Sequence, residues 1–527
     1  MLVLGLWGLD RGGMWRDEAV TFQVARRSIP QIWRLLHDVD AVHGLYYLVM
    51  HAVIAPRPGE VLLRLPSVCG AAAAAALVAA LGARLVGPRV GLWAGLLYAV
   101  TPMVGHYAQE GRSYALVAAG AAGATLLLVR AVGAPPGPGE PGGRGRDADG
   151  RGRDAGRRVR GGRVWWAYGA VLGVTCLLHE FAVLLLLAHA VTLALARVAR
   201  GVWRRWACAA GAVVLALLPL VVVSHAQSAQ VAWLREPGLG SAQALLRAFA
   251  GPTPAVYWTC LALAAVALTR LVGRRGEITC AAVALPLAVV PPVTLMLVSR
   301  FSPLYVDRYV LYALAGAPLL VAAGADRVAG WLGRAGARWL GSARAGSPLL
   351  ALAGALAVAV ALVHQLPLLR ADRSADHRPD NLAAVSRVAA RELRPGDPVL
   401  FVPGYARATA LAYPAGFRGV RDVALATGAP ASGTLYGTEV DAKALRRRLA
   451  GLDRVWVVAD RYAVERPGHP RDSLDRLKLS VVTQEFALRE QSVRGRVLLR
   501  LYVRRTLATE TPVAPAGPPV PQRPERW

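Results

Sequence analysis

Residues 62–86 read LLRLPSVCGAAAAAALVAALGARLV, with Arg64 near one end, Arg84 near the other and no charged side chain between them. A helix that crosses a bilayer needs about 20 apolar residues, and this run supplies them. A soluble core would show shorter runs with a period of 2 or 3.6. Arg89 opens a second run, 89–105, and the pattern recurs at 113–133, 164–178, 181–199, 206–224, 254–272, 278–299, 308–325 and 347–368. With the short apolar stretch Met1–Leu9, these predict an α-helical polytopic membrane protein of about 11 transmembrane helices. Met1–Leu9 is too short to span. It reads as the remainder of a truncated first helix, or as a sign that the start codon lies upstream. It has neither the basic leader nor the cleavage site of a signal peptide.

Composition agrees. Of 527 residues, 55% are hydrophobic, and the mean hydropathy is +0.39. That is too apolar for an ordinary soluble chain. The net charge of +28 does not indicate nucleic acid. The basic residues are nearly all Arg, with Lys443 and Lys478 the only lysines, and they gather between apolar runs. Loops that stay in the cytoplasm carry such charge. Cys69, Cys176, Cys208, Cys260 and Cys280 lie in or beside apolar segments without metal-ligand spacing, which argues against a disulfide framework or a zinc site.

Every second loop is rich in Arg. Arg84 and Arg89, the Gly/Pro/Arg-rich stretch 134–163, Arg200–Arg205, Arg270–Arg275 and Arg327–Arg344 are therefore expected in the cytoplasm. The basic stretch 134–163 reads as a disordered loop. The loops 10–61, 106–112, 179–180, 225–253 and 300–307, and residues 370–527, are then external, in a multi-pass protein of the plasma membrane. The domains read as 1–369 for the transmembrane part, 370–504 for a small extracytoplasmic α/β domain and 505–527 for a Pro-rich disordered tail. In the α/β part Pro398–Pro403 and Arg454–Ala459 read as strands and Asp441–Leu449 as an exposed helix.

The external loops hold the candidate chemistry: Asp17 and Glu18; His43 and Tyr46; Glu110, Arg112 and Tyr114; His179 and Glu180; Arg308 and Tyr309. Ser28–His37 reads as an amphipathic helix on the bilayer surface, and residues 45–56 as an interfacial one. Any one Trp or Tyr at a helix end is commonly an interface anchor. A set of carboxylates, histidines and arginines on one face of the membrane is costly unless paired or functional. Glycosyl transfer to a hydroxyl asks for a carboxylate base and for cations on the departing phosphate. Arg suits a phosphate because its fork binds two oxygens. Asp17 or Glu18 fits the first role, Arg112 or Arg308 the second. No Gly-rich phosphate loop or dinucleotide fingerprint is visible, so a sugar carried on a lipid phosphate fits better than a soluble nucleotide sugar.

The series Trp15-x-Asp17-Glu18-Ala19, His43-x-Leu45-Tyr46-Tyr47, Leu63-Arg64-Leu65-Pro66-Ser67 and Gln109-Glu110-x-Arg112-x-Tyr114-Ala115 resembles the C-type integral-membrane glycosyltransferases. Within them it is most similar to the protein O-mannosyltransferase and aminoarabinose-transferase group, in its bacterial, actinobacterial-like branch. The resemblance covers residues 1 to 325 well and the remainder loosely. It implies inverting transfer of a mannose-like sugar from a polyprenyl-phosphate donor to an acceptor hydroxyl on the outer face. It places the catalytic acid at Asp17, with Glu18 beside it. It makes His43, Tyr46, Glu110, Arg112, Tyr114, Arg308 and Tyr309 substrate-binding residues. Gly44 departs from the group's Pro at that place.

A lipid or glycolipid flippase is the competing reading. It would put Gly/Pro breaks in paired spans and charges near the midplane. Pro219 and Pro286 fall inside spans, but the ionisable residues collect on one face. A sensor with an external binding domain would not need polar clusters in three loops. No obligatory cofactor is expected, although Asp17, Glu18, Asp38, Asp40 and Glu110 offer oxygen ligands for a divalent cation. The expected partners are the lipid-linked sugar, an acceptor glycan, protein or glycolipid, and the membrane.

Overall fold

The computed structural model describes the chain except residues 134–149, 232–233, 341–346, 375–379, 466–469, 471 and 506–527. Most of the expected basic loop and tail therefore lies outside the described residues. The chain divides into two compact units: Met1–Leu9, Ala41–Tyr46 and Arg64–Arg370 form one; Asp10–Asp40, Tyr47–Leu63 and Ala371–Trp527 form the other. One division falls between Arg370 and Ala371. The loop segments 10–40 and 47–63, which the sequence assigned to the membrane part, cluster with the C-terminal residues.

The first unit is helical. Among the described residues six helices are long and apolar enough to cross a membrane: Glu60–Leu85, Tyr114–Val132, Arg200–Ala226, Cys280–Val298, Asp307–Leu332 and Leu349–Asp372. The bent pair Leu239–Ala250 and Pro254–Leu268, at 86°, would make a seventh. The remaining expected spans are shorter, for visible reasons. The run 89–105 breaks into Pro88–Val100 and Pro102–Ala108, because a residue before Pro is pushed out of the helical region and Thr101 is extended there. At the corner of the bent pair Gly251 has φ +110, a conformation that L side chains resist. His179 is extended (φ −162, ψ 112) between Gly150–Leu178 and the 3-10 turn Glu180–Leu184. Residues 150–163, expected within a disordered loop, continue that first helix.

Small residues let these helices close up, as membrane packing favours. A Cβ on Gly70 would stand 2.9 Å from the Ala115 backbone, and one on Gly91 2.4 Å from the Ala79 carbonyl oxygen. Some of the polar groups inside pair with one another. Tyr168 and Thr125 flank the His189 ring at 2.9 and 3.1 Å, and Arg89 pairs with Asp326.

The second unit is α/β. Its five-stranded sheet runs β2-β1-β5-β7-β6, with β1 at Pro398–Val402, β2 at Arg421–Asp422, β3 at Leu425–Thr427, β4 at Thr438–Glu439, β5 at Arg454–Asp460, β6 at Phe486–Arg494 and β7 at Val497–Arg504. β1 lies parallel to β2 and β5, while β7 is antiparallel to β5 and β6; β3 and β4 form a separate antiparallel ribbon. Leu400, Val402, Val455, Val457 and Leu498 point into the core against Leu445, Leu449, Val481 and Val482. Asp441 caps the helix Ala442–Ala450 through Ala444 N at 2.7 Å. In the segment 10–40 the helix Ile29–Asp38 buries Ile32 and Leu35 against Val20, Val24 and Tyr47. Its inner face thus packs on protein, while Ile29 and Trp33 stay exposed.

Candidate active site

The polar motifs of the helical unit form one cluster. The segment Gln109–Tyr114 between two helices is buried, and its backbone is held by the weak motif Leu63–Ser67. Ser67 Oγ reaches the Glu110 and Arg112 carbonyl oxygens at 2.6 and 2.9 Å. Arg64, fully buried, donates to the Leu9 carbonyl at 3.0 Å. Gln109 Nε2 donates to the Gly5 and Trp7 carbonyls at 2.9 and 2.8 Å. Held this way, Arg112 donates from Nη2 to His43 Nε2 at 2.7 Å. Arg308 donates from Nε to the Tyr114 hydroxyl at 3.2 Å, and its guanidinium lies 5.7 Å from the Tyr309 ring centroid. Glu110 and Tyr46 are buried.

His179 joins this cluster. Its ring is 4.9 Å from Tyr309 and 5.7 Å from Tyr114, and Tyr114 and Tyr309 are 6.3 Å apart. Its Nδ1 is buried and makes no hydrogen bond among the described residues. The sequence set His179 and Glu180 among the candidate external residues without giving either a role. Burial, then the charges of Arg112 and Arg308, hold His43 well below its usual range. Burial, then His43, Arg112 and Arg308, push His179 down to about 3. An imidazole that refuses a proton reports a desolvated and positive neighbourhood. Such a neighbourhood suits an anion.

Asp17 and Glu18 belong to the other unit. They occupy the first turn of the helix Arg16–Ala25, where the helix dipole favours carboxylates. Glu18 is fully buried and Asp17 is partly exposed. Distant residues fix this turn. Arg16 N donates to Asp380 Oδ2 at 3.3 Å. Its guanidinium sits 3.9 Å from Asp460 Oδ2 and 5.1 Å from the Tyr405 ring centroid. Burial raises the Asp380 carboxyl, with Arg16 opposing. Met14 N donates to the Tyr413 hydroxyl at 2.7 Å, and Gln23 Nε2 to the Leu435 carbonyl at 2.8 Å. Asn381 caps the helix Leu382–Glu392, accepting from Ala384 N at 3.1 Å; the preceding His377 and Arg378 lie outside the described residues. Among the described residues no three His, Cys, Asp or Glu side chains converge as metal ligands.

The helical unit also contains a cavity of about 640 Å³ between the helices Pro88–Val100, Pro254–Leu268, Gly316–Leu340 and Ser347–Asp372. Its wall is mostly Ala, Val and Leu, with Thr101, His364 and Gln365 as polar members. From Leu350 to Gln365 it follows the last of these helices for ~22 Å at about 1.5 Å per residue. Gln365 Oε1 is buried and has no hydrogen-bond partner among the described residues.

No family model and no curated protein matches the chain. Among solved structures it is similar to ArnT from Cupriavidus metallidurans in the apo state, at 14% identity over 95% of this chain and 96% of that one, with a TM-score of 0.56. It is similar to the same protein bound to undecaprenyl phosphate, at 13% identity, with coverage of 95% and 96% and a TM-score of 0.57. A weaker likeness, with a TM-score of 0.46, joins it to the archaeal oligosaccharyltransferase AglB from Archaeoglobus fulgidus in complex with an inhibitory peptide and a dolichol-phosphate, at 11% identity and coverage of 93% and 70%. The chain has the ArnT fold.

Proposed function

We propose that this chain is a glycosyltransferase. It moves a mannose-like sugar from a polyprenyl-phosphate donor to an acceptor hydroxyl on the outer face of the plasma membrane, with inversion. One observation carries the reading: Arg112 and Arg308 stand in a buried cluster with two imidazoles that stay neutral. The undecaprenyl phosphate held by the similar ArnT structure and the long apolar cavity of the helical unit support a lipid-phosphate donor.

In this reading Arg112 and Arg308 hold the donor phosphate. Tyr114 and Tyr309 orient Arg308, and His43 orients Arg112. The neutral histidines leave the positive charge to the two guanidiniums. Asp17 takes the acceptor proton as the hydroxyl oxygen bonds to the anomeric carbon. The bond from that carbon to the phosphate oxygen breaks, and the phosphate keeps the electron pair. Attack opposite the leaving group inverts the centre. Glu18 supports Asp17 from the same turn. The arginines neutralise the developing charge, so the mechanism calls for no obligatory metal.

The test is transfer of radiolabelled sugar from polyprenyl-phosphate mannose in membranes that hold the protein. Asp17→Asn is expected to abolish transfer with insertion intact; near wild-type turnover would remove the base. Arg308→Ala is expected to raise the donor KM about tenfold and leave the acceptor KM unchanged. Unchanged donor dependence would remove the phosphate role. No transfer from mannosyl, glucosyl, galactosyl or arabinosyl donors would sink the reading in favour of a flippase.

A further inference from the structure

The unit built from residues 10–40, 47–63 and 371–527 contains a cavity of about 570 Å³. That is within the range of small-molecule sites, ~300–1,000 Å³. Its wall combines two kinds of surface. Ala383, Ala412, Pro414, Ala415 and the Tyr413 ring are apolar. Asp10, Glu60, Asn381, Arg387 and Arg418 are polar or charged. The two acids and two arginines form no ion pair with one another among the described residues, although they line one cavity.

This combination selects its ligand. An anion would meet Asp10 and Glu60, and a cation would meet Arg387 and Arg418. A neutral polyol suffers neither repulsion, because each hydroxyl both donates and accepts. Its hydroxyls could donate to the carboxylates and accept from the guanidiniums and the Asn381 amide, while its C–H face lies on Ala415, Pro414 and the tyrosine ring. We propose that this cavity is a binding site for neutral carbohydrate, and that it engages a glycan acceptor. The carbohydrate site rests on the cavity alone, whereas the acceptor role rests on the glycosyl-transfer reading.

The cavity wall is tied to the loop that leads into Asp17. The Tyr413 hydroxyl accepts from Met14 N at 2.7 Å and donates to the Glu60 carboxylate. A Cβ on Gly13 would stand 2.6 Å from Ala383 Cβ, so the loop lies directly against the wall. A sugar seated here presses on the backbone two residues before the helix Arg16–Ala25.

The experiment uses the full chain in nanodiscs free of sugar-headed detergent. Saturation-transfer NMR is recorded with neutral disaccharides of mannose, glucose, galactose and arabinose, and with a uronic-acid and an amino-sugar disaccharide. Wild type is expected to transfer saturation to at least one neutral disaccharide and less to the charged ones. Ala415→Trp fills the cavity from an exposed position, and Arg387→Ala removes a rim donor. Both are expected to weaken binding about tenfold at unchanged thermal stability. No saturation of any neutral disaccharide, preference for a charged one, or equal binding by Ala415→Trp would overturn the site. In the transfer assay Ala415→Trp is expected to raise the acceptor KM alone; an unchanged acceptor KM would overturn the acceptor role. Sugar binding without transfer from any donor would leave the carbohydrate site standing and remove the glycosyl-transfer reading.

Discussion

Two buried clusters of charge, one in each unit, are built on opposite plans. In the α/β unit Arg407 bridges Asp422, with Nε at 2.5 Å and Nη2 at 3.1 Å, and Glu439 at 2.6 Å. Lys478, fully buried, reaches Glu439 at 2.7 Å, Asp475 at 2.7 Å and the Phe401 carbonyl at 3.2 Å. Three carboxylates there enclose two cations. In the helical unit Arg112 donates to an imidazole and Arg308 to a phenol. The first network joins carboxylates to cations and ties strand to helix. In the second, guanidiniums touch neutral rings, and burial together with their charge holds two histidines deprotonated. The difference teaches what to look for: a closed set of ion pairs marks architecture, and guanidiniums beside suppressed imidazoles mark a desolvated, positive neighbourhood.

The contrast can be broken by mutation. Arg407→Met removes one partner of a buried network and leaves Asp422 without its cation, while Glu439 keeps Lys478. It is expected to cost about 3–5 kcal/mol of stability, read as an earlier thermal unfolding transition. A loss below about 1 kcal/mol would mean that this network is not architectural.

Acid probes the other cluster. The folded pKa values of His43 and His179 lie below the unfolded value, so the unfolded chain binds the extra protons. Stability is therefore full above pH ~6.5 and falls as pH drops towards about 3, the value to which His179 is pushed. The slope is about 1.4 kcal/mol per pH unit for each histidine. Thermal scans from pH 7 to pH 4 should show His179→Phe losing less stability than wild type. Identical slopes would show that His179 titrates normally.

The smallest effect concerns the backbone clamp. Ser67→Ala removes hydrogen bonds to two carbonyls and is expected to cost about 1–2 kcal/mol. It should also lower transfer through a misplaced Arg112, with donor KM as the sensitive parameter. A stable variant with wild-type donor KM would separate the clamp from the site.

The membrane part was legible because apolar length is a one-dimensional property: the run 62–86 and the helix Glu60–Leu85 are nearly the same object. Where a Pro or a His interrupts a run, as at Thr101-Pro102 and His179, length alone overestimates the span. β1, β5 and the helix Ala442–Ala450 were visible as apolar runs and amphipathic pattern. The hairpin of β6 and β7 was not, because Arg489, Glu490 and Arg500 interleave its apolar positions. Of the cluster in the helical unit, the sequence had named Arg112, Tyr114, Arg308 and Tyr309 as candidates, and the fold brings them together. The same motifs could not reveal that Ser67 holds the backbone for Arg112, nor that Asp380 holds the turn of Asp17. Those bonds join residues far apart in the chain, and a local pattern carries no trace of them.

The hydrogen bonds around Asp17 also set a timetable. Met14 is bonded to Tyr413, Arg16 to Asp380 and Gln23 to Leu435, at separations of 399, 364 and 412 residues. Contacts of such range form late, since the intervening chain must first be closed into a loop. During synthesis the turn that carries Asp17 emerges 364 to 412 residues before its supports and waits for them. A chain interrupted before Leu435 would hold every spanning helix and yet lack the frame of its acid turn.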